Sequence, residues 1–138
     1  MNVMPDFDAL IKALEDRNRE IRYFLDRKSG DVVVIDAKDS QRAINIAQKI
    51  KAEPSRFVQI PRMPPEELFK DMKVFADSGK NKKLAEHIKS LIQGGATYRD
   101  FRDLLNGFPG EKERWYSFRK ERMMLRAKNW LKVIGLDI

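Results

Sequence analysis

The sequence has no cysteine, a single histidine (His87) and no long apolar run. Without cysteine the chain can form neither a disulfide framework nor a thiolate zinc site, and it has no cysteine nucleophile. The longest uninterrupted apolar run is Val32–Ile35, far short of the roughly 20 residues that a membrane-spanning helix needs. The N-terminal residues show neither the basic nor the apolar region of a signal peptide. We therefore expect a soluble, cytoplasmic protein with no membrane partner and no cofactor.

The length of 138 residues fits one domain that can bury a core without metals or disulfides. The chain shows no internal repeat, low-complexity segment or flexible linker. We predict a single domain over residues 1–138. Residues 1–61 would form a helix-plus-sheet portion, and residues 62–138 a helical portion that does not fold independently.

Basic residues outnumber acidic ones, 28 Lys and Arg against 21 Asp and Glu, for a formal net charge of +7. A positive charge favours anionic partners and raises non-specific affinity for nucleic acid, although many small proteins with no such role are equally basic. Between residues 111 and 138, eight basic residues face four acidic ones. More than half of the excess therefore lies in the last fifth of the chain.

The first half of the sequence predicts a helix followed by a small sheet. Phe7, Leu10, Ile11 and Leu14 recur at the spacing of one helical face after Pro5-Asp6. Residues 21–36 predict a β-hairpin, because two runs of β-branched and aromatic residues flank a polar turn that contains a glycine. Residues 56–61 predict a third strand, which Pro61 ends.

A helix is predicted between the second and third strands. Asp39 or Ser40 can cap its N-terminus, and Pro54 returns the chain to an extended conformation. Its apolar face would consist of Ala43, Ile46, Ala47 and Ile50, with Ile44 alongside. We expect this inserted helix to cover one face or one edge of the sheet.

The remaining sequence predicts four helices, over residues 64–79, 81–95, 96–107 and about 111–134. Proline and acidic residues mark their starts, and glycine marks their ends. The expected buried positions in the first three are Leu68, Met72, Phe75, Ala76, Leu84, Ile88, Leu91, Ile92, Tyr98, Phe101, Leu104 and Leu105. The predicted fold class is therefore α+β: an N-terminal helix, a small three-stranded antiparallel sheet with an inserted helix, then a C-terminal four-helix array.

No residue pattern indicates catalysis. His87 borders the apolar face of its helix and has no second His or Cys that could share a metal or a proton. Carboxylates such as Glu66, Glu67 and Asp71 are expected at helix starts and on surface faces, where they complement the helix dipole. Gly94-Gly95 lacks the Gly-Lys-Ser/Thr continuation of a phosphate loop and indicates a helix C-cap. We predict a protein that is not an enzyme.

The last helix is rich in both aromatic and basic residues. At about 100° per residue, one buried face is predicted to contain Tyr116, Met123, Ala127, Trp130 and Ile134. Phe118 and Leu125 would pack on a second flank. Arg119, Arg122 and Arg126 share a third arc, with Trp115 and Val133 near its edge. We therefore predict that the aromatic residues serve packing and do not stack on nucleic-acid bases.

The arginine residues are the candidate anion-binding or partner-binding groups, and they comprise Arg99, Arg102, Arg119, Arg122 and Arg126. Three interpretations of the arc on the last helix remain open. It can be a solvated face, an ion-pairing face toward Asp100 and Asp103, or a surface that binds anions. We favour the first two interpretations.

The sequence resembles a bacterial family known as Uncharacterised Protein Family 0158. The hairpin and third strand match at Tyr23, Leu25, Asp26, Ser29, Gly30, Val32, Arg56, Phe57, Ile60 and Pro61. The C-terminal half matches at Gly95, Ala96, Tyr98, Arg99, Phe101, Arg102, Asp103, Leu105, Glu113 or Arg114, Trp115, Tyr116, Phe118, Arg119, Trp130 and Leu131. Residues 37–55 match least. The resemblance implies a fold and a bacterial setting, and it implies no activity.

Two functional hypotheses follow. The first is a non-enzymatic protein-interaction or regulatory module that binds an unknown protein partner or self-associates. The second is a basic accessory protein that binds nucleic acid through the arginine-rich C-terminal helix. The first is favoured, because the chain shows no catalytic constellation, forms a small domain and has a highly charged surface.

Overall fold

A computed structural model describes residues 4–136 of the chain, and within them the predicted α+β class and the order of elements are confirmed. The elements are α1 (Phe7–Glu15), β1 (Ile21–Asp26), β2 (Val32–Asp36), α2 (Ser40–Ala52), β3 (Phe57–Gln59), α3 (Pro65–Ser78), α4 (Lys82–Gln93), α5 (Tyr98–Leu105) and α6 (Glu111–Val133).

The chain divides into two compact units. The sheet unit consists of residues 1–63 and 124–138, and the helical unit consists of residues 64–123. Helix α6 contributes its residues up to 123 to the helical unit and the remainder to the sheet unit. That residues 1–138 unfold as a single domain remains a prediction.

The sheet unit contains a three-stranded antiparallel sheet in the order β2-β1-β3. The β1–β2 register pairs Ile21 with Asp36 and Leu25 with Val32. The Asp26 carboxylate accepts the backbone N–H of Lys28 at 2.9 Å and closes the turn between the two strands. Gly30 adopts a φ of 82° in this turn, a conformation that glycine adopts without steric cost. The turn chemistry that predicted the hairpin is therefore the chemistry that forms it.

Helix α2 packs on one face of this sheet. Phe24, Ile35 and Phe57 form a buried cluster between the strands and the helix. The partly buried residues around the cluster are Val33, Ala43, Ile46, Ala47 and Ile50. The apolar face predicted for the inserted helix is confirmed, and Ile44 beside it is exposed.

The helical unit is built around an aromatic core. Phe75 of α3, Phe101 of α5 and Trp115 of α6 are all fully buried. The Trp115 ring lies edge-on to Phe75 at 5.2 Å and to Phe101 at 4.8 Å between centroids. Such edge-to-face contacts add about 0.5–1.5 kcal/mol per pair to the burial of the rings. Three helices that are separate in sequence therefore meet at one tryptophan.

Local capping sets the starts of α4 and α5. The Asn81 side chain accepts the N–H of Leu84 at 3.0 Å. Thr97 and Asp100 form a reciprocal capping box at the start of α5. Each such cap satisfies backbone donors that the helix itself cannot satisfy. The role of Asp100 is thus explained by its own helix.

The packing predicted for α6 is wrong at Tyr116 of the first face, at Leu125 of the second flank and at Trp115, which was placed near the arginine arc. Tyr116 is 51% exposed and Leu125 is 52% exposed, whereas Trp115 is fully buried. The fully buried residues of this helix are Trp115, Met123, Ala127 and Leu131. They follow one another at multiples of four residues, with Arg119 on the same line between Trp115 and Met123. A charged residue on the buried side conceals the apolar pattern, because a periodicity count treats that position as polar.

Candidate functional site

A buried carboxylate organises the charged residues of the helical unit. Asp71 lies in the middle of α3 and is fully buried. It accepts the Nε–H of Arg122 at 2.9 Å, and its Oδ2 lies 3.6 Å from Nη1 of Arg119. Burial of an ionised carboxylate is costly unless cations and hydrogen bonds compensate it. The surface position expected for Asp71 is therefore wrong, and these ion pairs of the arginine arc are made to Asp71 rather than to Asp100 and Asp103.

Arginine side chains of the helical unit also lie against aromatic rings. The guanidinium of Arg119 is 5.9 Å from the Trp115 ring and 6.0 Å from the Tyr98 ring. The guanidinium of Arg102 also lies over the Tyr98 ring, 5.3 Å from its centre. The Tyr98 hydroxyl accepts the indole N–H of Trp115 at 3.0 Å. Contacts of this kind between cations and rings contribute about 0.5–2 kcal/mol each. Packing thus accounts for the positions of Arg102 and Arg119.

Arg114 fixes the C-terminal turn of α3. Its Nη2 donates to the carbonyl oxygen of Phe75 at 3.3 Å, and its guanidinium lies 3.7 Å from the centre of the Phe75 ring. Its Nε donates to Glu111 at 2.6 Å. A Cβ atom at Gly79 would collide with this guanidinium. The arginine therefore satisfies a carbonyl that the end of the helix leaves without a helical partner.

The five candidate arginines lie on two helices, and two of them, Arg102 and Arg119, contact the same Tyr98 ring. Arg99 and Arg102 are exposed on α5, while Arg119 and Arg122 are partly buried on α6. Arg126 belongs to the sheet unit. That these residues bind an anion or a partner remains a prediction, and the contacts with Asp71 give two of them a structural role.

A different set of arginines, not identified from the sequence, lines a groove in the sheet unit. The groove has a volume of about 490 Å³ and is lined by Arg19, Arg22, Tyr23, Gln59, Ile60, Pro61 and Arg62. Three of these residues are arginines and none is acidic. They lie in two segments about forty residues apart, and each segment alone shows no unusual charge. The one signal in the sequence is that Arg62 follows the proline that ends β3.

Tyr23 stands between this groove and α1. Its hydroxyl donates to Oδ2 of Asp16. Burial, and then this hydrogen bond, raises the pKa of Tyr23 to about 12. The same hydrogen bond, followed by one from the Asn18 backbone N–H, lowers the pKa of Asp16 from its ordinary value. At neutral pH the pair therefore consists of a neutral hydroxyl and an ionised carboxylate.

A second ion pair in the sheet unit joins the hairpin turn to β3. The guanidinium of Arg56 donates to both oxygens of Asp26, at 2.9 and 2.8 Å. The paired geometry is the strongest arrangement between arginine and a carboxylate. The hydrogen bonds from Arg56 hold the pKa of Asp26 well below its usual range. Like the pair on Asp71, this contact joins elements that are distant in sequence.

The outer edge of β2 exposes main-chain groups. Asp26 donates its N–H to Asp31, and Ala37 donates to Glu20, so these two pairs lie at the ends of the ladder between β1 and β2. Main-chain groups in an antiparallel ladder point alternately toward and away from the partner strand. Val32 and Val34 therefore direct their N–H and C=O groups away from β1. Val34 is also 44% exposed.

A shallow depression lies beside this edge. Its volume is about 230 Å³, and it is lined by Val34, Asp36, Asp39, Arg42 and Ala43.

Within residues 4–136 no group of three or more His, Cys, Asp or Glu side chains is arranged to hold a metal ion. His87 is exposed, and its ring lies 6.4 Å from that of Phe108. None of the helices in this range is both long and apolar enough to cross a membrane.

The fold and these sites define a small basic α+β protein whose arginines divide between internal ion pairs and an open groove. The chain belongs to an uncharacterised protein family, UPF0158, whose model matches residues 2–137. The resemblance found in the sequence is thereby confirmed.

Similar proteins are found in Chlamydia. A UPF0158 protein of Chlamydia trachomatis serovar D is 27% identical over 138 residues, which cover 96% of this chain and 40% of the relative. A UPF0158 protein of Chlamydia muridarum is 25% identical, with 96% of this chain and 39% of the relative covered. The chain thus spans about two fifths of the length of the curated relatives it matches. No solved structure matches it.

Proposed function

We propose that this chain is a non-enzymatic protein-interaction module whose sheet accepts an extended strand of a protein partner at the edge of β2. The observation that carries the proposal is the outward direction of the main-chain groups of Val32 and Val34. An edge strand of this kind is a template for pairing with another chain. The module would act in the cytoplasm.

The side chains beside this edge suit the recognition of a strand. In strand addition the main chain provides affinity, and pockets for alternate side chains provide specificity. Val34 presents an apolar surface, and the adjoining depression combines it with Arg42, Asp36 and Asp39. A partner strand with alternating apolar and charged residues has the matching chemistry. This partner is a protein segment, or the same edge of a second copy.

The nucleic-acid hypothesis receives less support. Arg122 is hydrogen bonded to the buried Asp71, and Arg119 is ion-paired with the same carboxylate. An arginine that compensates a buried charge is not free to neutralise a phosphate without exposing that charge. A titration with RNA and DNA at about 50 mM salt tests the alternative. Binding that weakens steeply as the salt concentration rises, with a log–log slope that falls by about 1 in Arg99→Gln, would favour it.

Two matched substitutions test the strand edge. Val34→Lys places a charge on β2, and charges on edge strands oppose pairing with another chain. Val74→Lys is the control, because Val74 is similarly exposed, at 42% against 44%, but lies on α3. Both variants and the unchanged chain are measured by size exclusion with light scattering. Each is also used to capture proteins from a bacterial lysate.

We expect the unchanged chain to form a dimer or to capture a protein from the lysate. Val34→Lys should abolish this association, and Val74→Lys should retain it. Circular dichroism must show that both variants are folded. A strict monomer that captures nothing overturns the proposal. Association that survives Val34→Lys places the interface elsewhere and overturns the assignment to β2.

A further inference from the structure

The arginine-lined groove of the sheet unit exists because β3 is short. Strand β1 runs from Ile21 to Asp26, but β3 pairs only with Phe24, Leu25 and Asp26. Proline cannot donate a main-chain hydrogen bond, so Pro61 ends the ladder directly after Ile60 has donated to Tyr23. The first half of β1 is therefore left uncovered on this side, and the groove occupies that position.

Arg62 takes the place of the missing strand. Its Nη2 donates to the carbonyl oxygens of Ile21 and Asn18. A guanidinium carries five N–H donors in a rigid plane, so two contacts through one nitrogen fix its orientation. One cation of the groove is thus held in position by the protein backbone.

The charges around the groove are predominantly positive. Arg19 and Arg22 are exposed lining residues, and the Arg22 guanidinium lies 5.9 Å from the Phe24 ring. The nearby acids do not line the groove. Asp16 accepts the Tyr23 hydroxyl and also interacts electrostatically with Arg62, and Glu20 lies 3.5 Å from Lys38. In the helical unit Asp71 pairs with arginines, whereas no carboxylate lines this groove.

We propose that this groove binds a small molecule that carries a phosphate monoester. Three guanidinium groups suit a compact dianion, because arginine forms paired hydrogen bonds with phosphate oxygens and a monoester carries about −1.5 to −2 charges at pH 7. Ile60 and Pro61 provide an apolar surface for the remainder of the molecule. A volume of about 490 Å³ falls within the roughly 300–1,000 Å³ of small-molecule sites. This site is separate from the β2 edge and does not depend on the proposed function.

The test uses three probes with the full chain at about 0.15 M salt, where distant charges are screened: phenyl phosphate, inorganic phosphate and benzyl alcohol. Backbone amide signals are followed by NMR during each titration. We expect saturable changes at residues 19–23 and at Gln59, Ile60 and Arg62 with phenyl phosphate. Inorganic phosphate should shift the same signals with weaker affinity, because it lacks an apolar group, and benzyl alcohol should leave them unchanged.

Two substitutions that each remove one positive charge are compared, one inside the groove and one outside it. Arg22→Gln removes one lining guanidinium and should weaken the binding of phenyl phosphate about tenfold, the effect of one charge-assisted hydrogen bond. Arg42→Gln removes an exposed arginine of the same unit that lies beside β2, at the edge of the sheet opposite β3, and should change the affinity by less than about twofold. Changes that do not saturate, or that lie outside the two segments, overturn the proposal. Equal weakening by both variants also overturns it, since that result indicates general attraction between charges.

Discussion

The two units use arginine differently. In the helical unit, Arg122 and Arg119 face the fully buried Asp71, and Arg114 binds the end of α3. In the sheet unit, Arg19, Arg22 and Arg62 line an open groove without an acidic lining residue. The first set compensates a charge that folding has buried, and the second set leaves positive potential at the surface.

The difference shows why a count of basic residues along the sequence is a poor guide to binding surfaces. Most of the excess charge lies after residue 110, yet two central arginines of that region are paired with an acid 48 or more residues away. What decides the role of an arginine is the carboxylate that the fold brings to it. Substitution of a single carboxylate or arginine can therefore test whether the two units use arginine differently.

The largest effect is expected from Asp71→Asn. The substitution leaves two guanidinium groups facing a neutral amide at a buried position. Breaking a buried ion pair by the removal of one partner costs about 3–5 kcal/mol. Because asparagine still offers one acceptor, we expect a loss of about 3 kcal/mol in the free energy of unfolding. Urea denaturation measures it.

Asp103→Asn is the matched control for this prediction, since Asp103 is exposed on α5. An exposed substitution of this kind changes stability by about 0.5 kcal/mol or less. If both variants unfold at the same urea concentration, Asp71 is not the residue that fixes the arginines of the helical unit. The comparison between the two units would then fail.

Asp26→Asn tests whether the sheet unit also contains an arginine held by a carboxylate. The hydrogen bonds from Arg56 lower the pKa of Asp26 below its ordinary value of 3.8. A carboxyl group with a lowered folded-state pKa contributes its full stability above the ordinary pKa, and the contribution is lost as the pH falls toward the folded value. The variant should be about 2 kcal/mol less stable at pH 7.

The stability of the Asp26→Asn variant should also fall less than that of the unchanged chain between about pH 5 and pH 2. Thermal unfolding at several pH values measures both effects. Asp39→Asn is the control, because the Asp39 side chain makes no capping hydrogen bond to α2. Parallel pH profiles for the unchanged chain and Asp26→Asn would contradict the prediction.

The smallest effect is expected from a pair of arginine substitutions. Arg122→Gln removes the hydrogen bond to Asp71 and should cost about 1.5 kcal/mol. Arg22→Gln should change the free energy of unfolding by less than about 0.5 kcal/mol, because Arg22 is exposed. Chemical denaturation of both variants compares them directly. Equal losses would show that the groove arginines serve stability as the helical ones do.

The parts of the fold that could be predicted are those whose structure is determined by residues close together in the sequence. The turn at Asp26–Gly30, the caps at Asn81 and Thr97 and the apolar face of α2 depend on residues close in sequence. The face of α6 could not be assigned correctly in the same way. Whether Trp115 or Tyr116 is buried depends on the position of Phe75 and Phe101, which belong to other helices.

The sites were harder to predict than the fold for the same reason. Asp71 looked like one of several acids near a helix start, and its burial depends on Arg119 and Arg122 in a distant helix. The groove depends on the early end of β3, which exposes half of β1. Pro61 indicated where the strand ends, but the sequence did not show that Arg22 and Arg62 line the same surface.

The contact between Arg114 and Gly79 has a consequence for sequence drift within the family. Gly79 has an ordinary backbone conformation, with a φ of −89°, so only the neighbouring guanidinium excludes a larger residue there. Alanine at position 79 would require the Arg114 guanidinium to shift from the place where it contacts the Phe75 carbonyl and ring. A related chain without this arginine would be free of that constraint at the glycine, so we expect the two positions to change together.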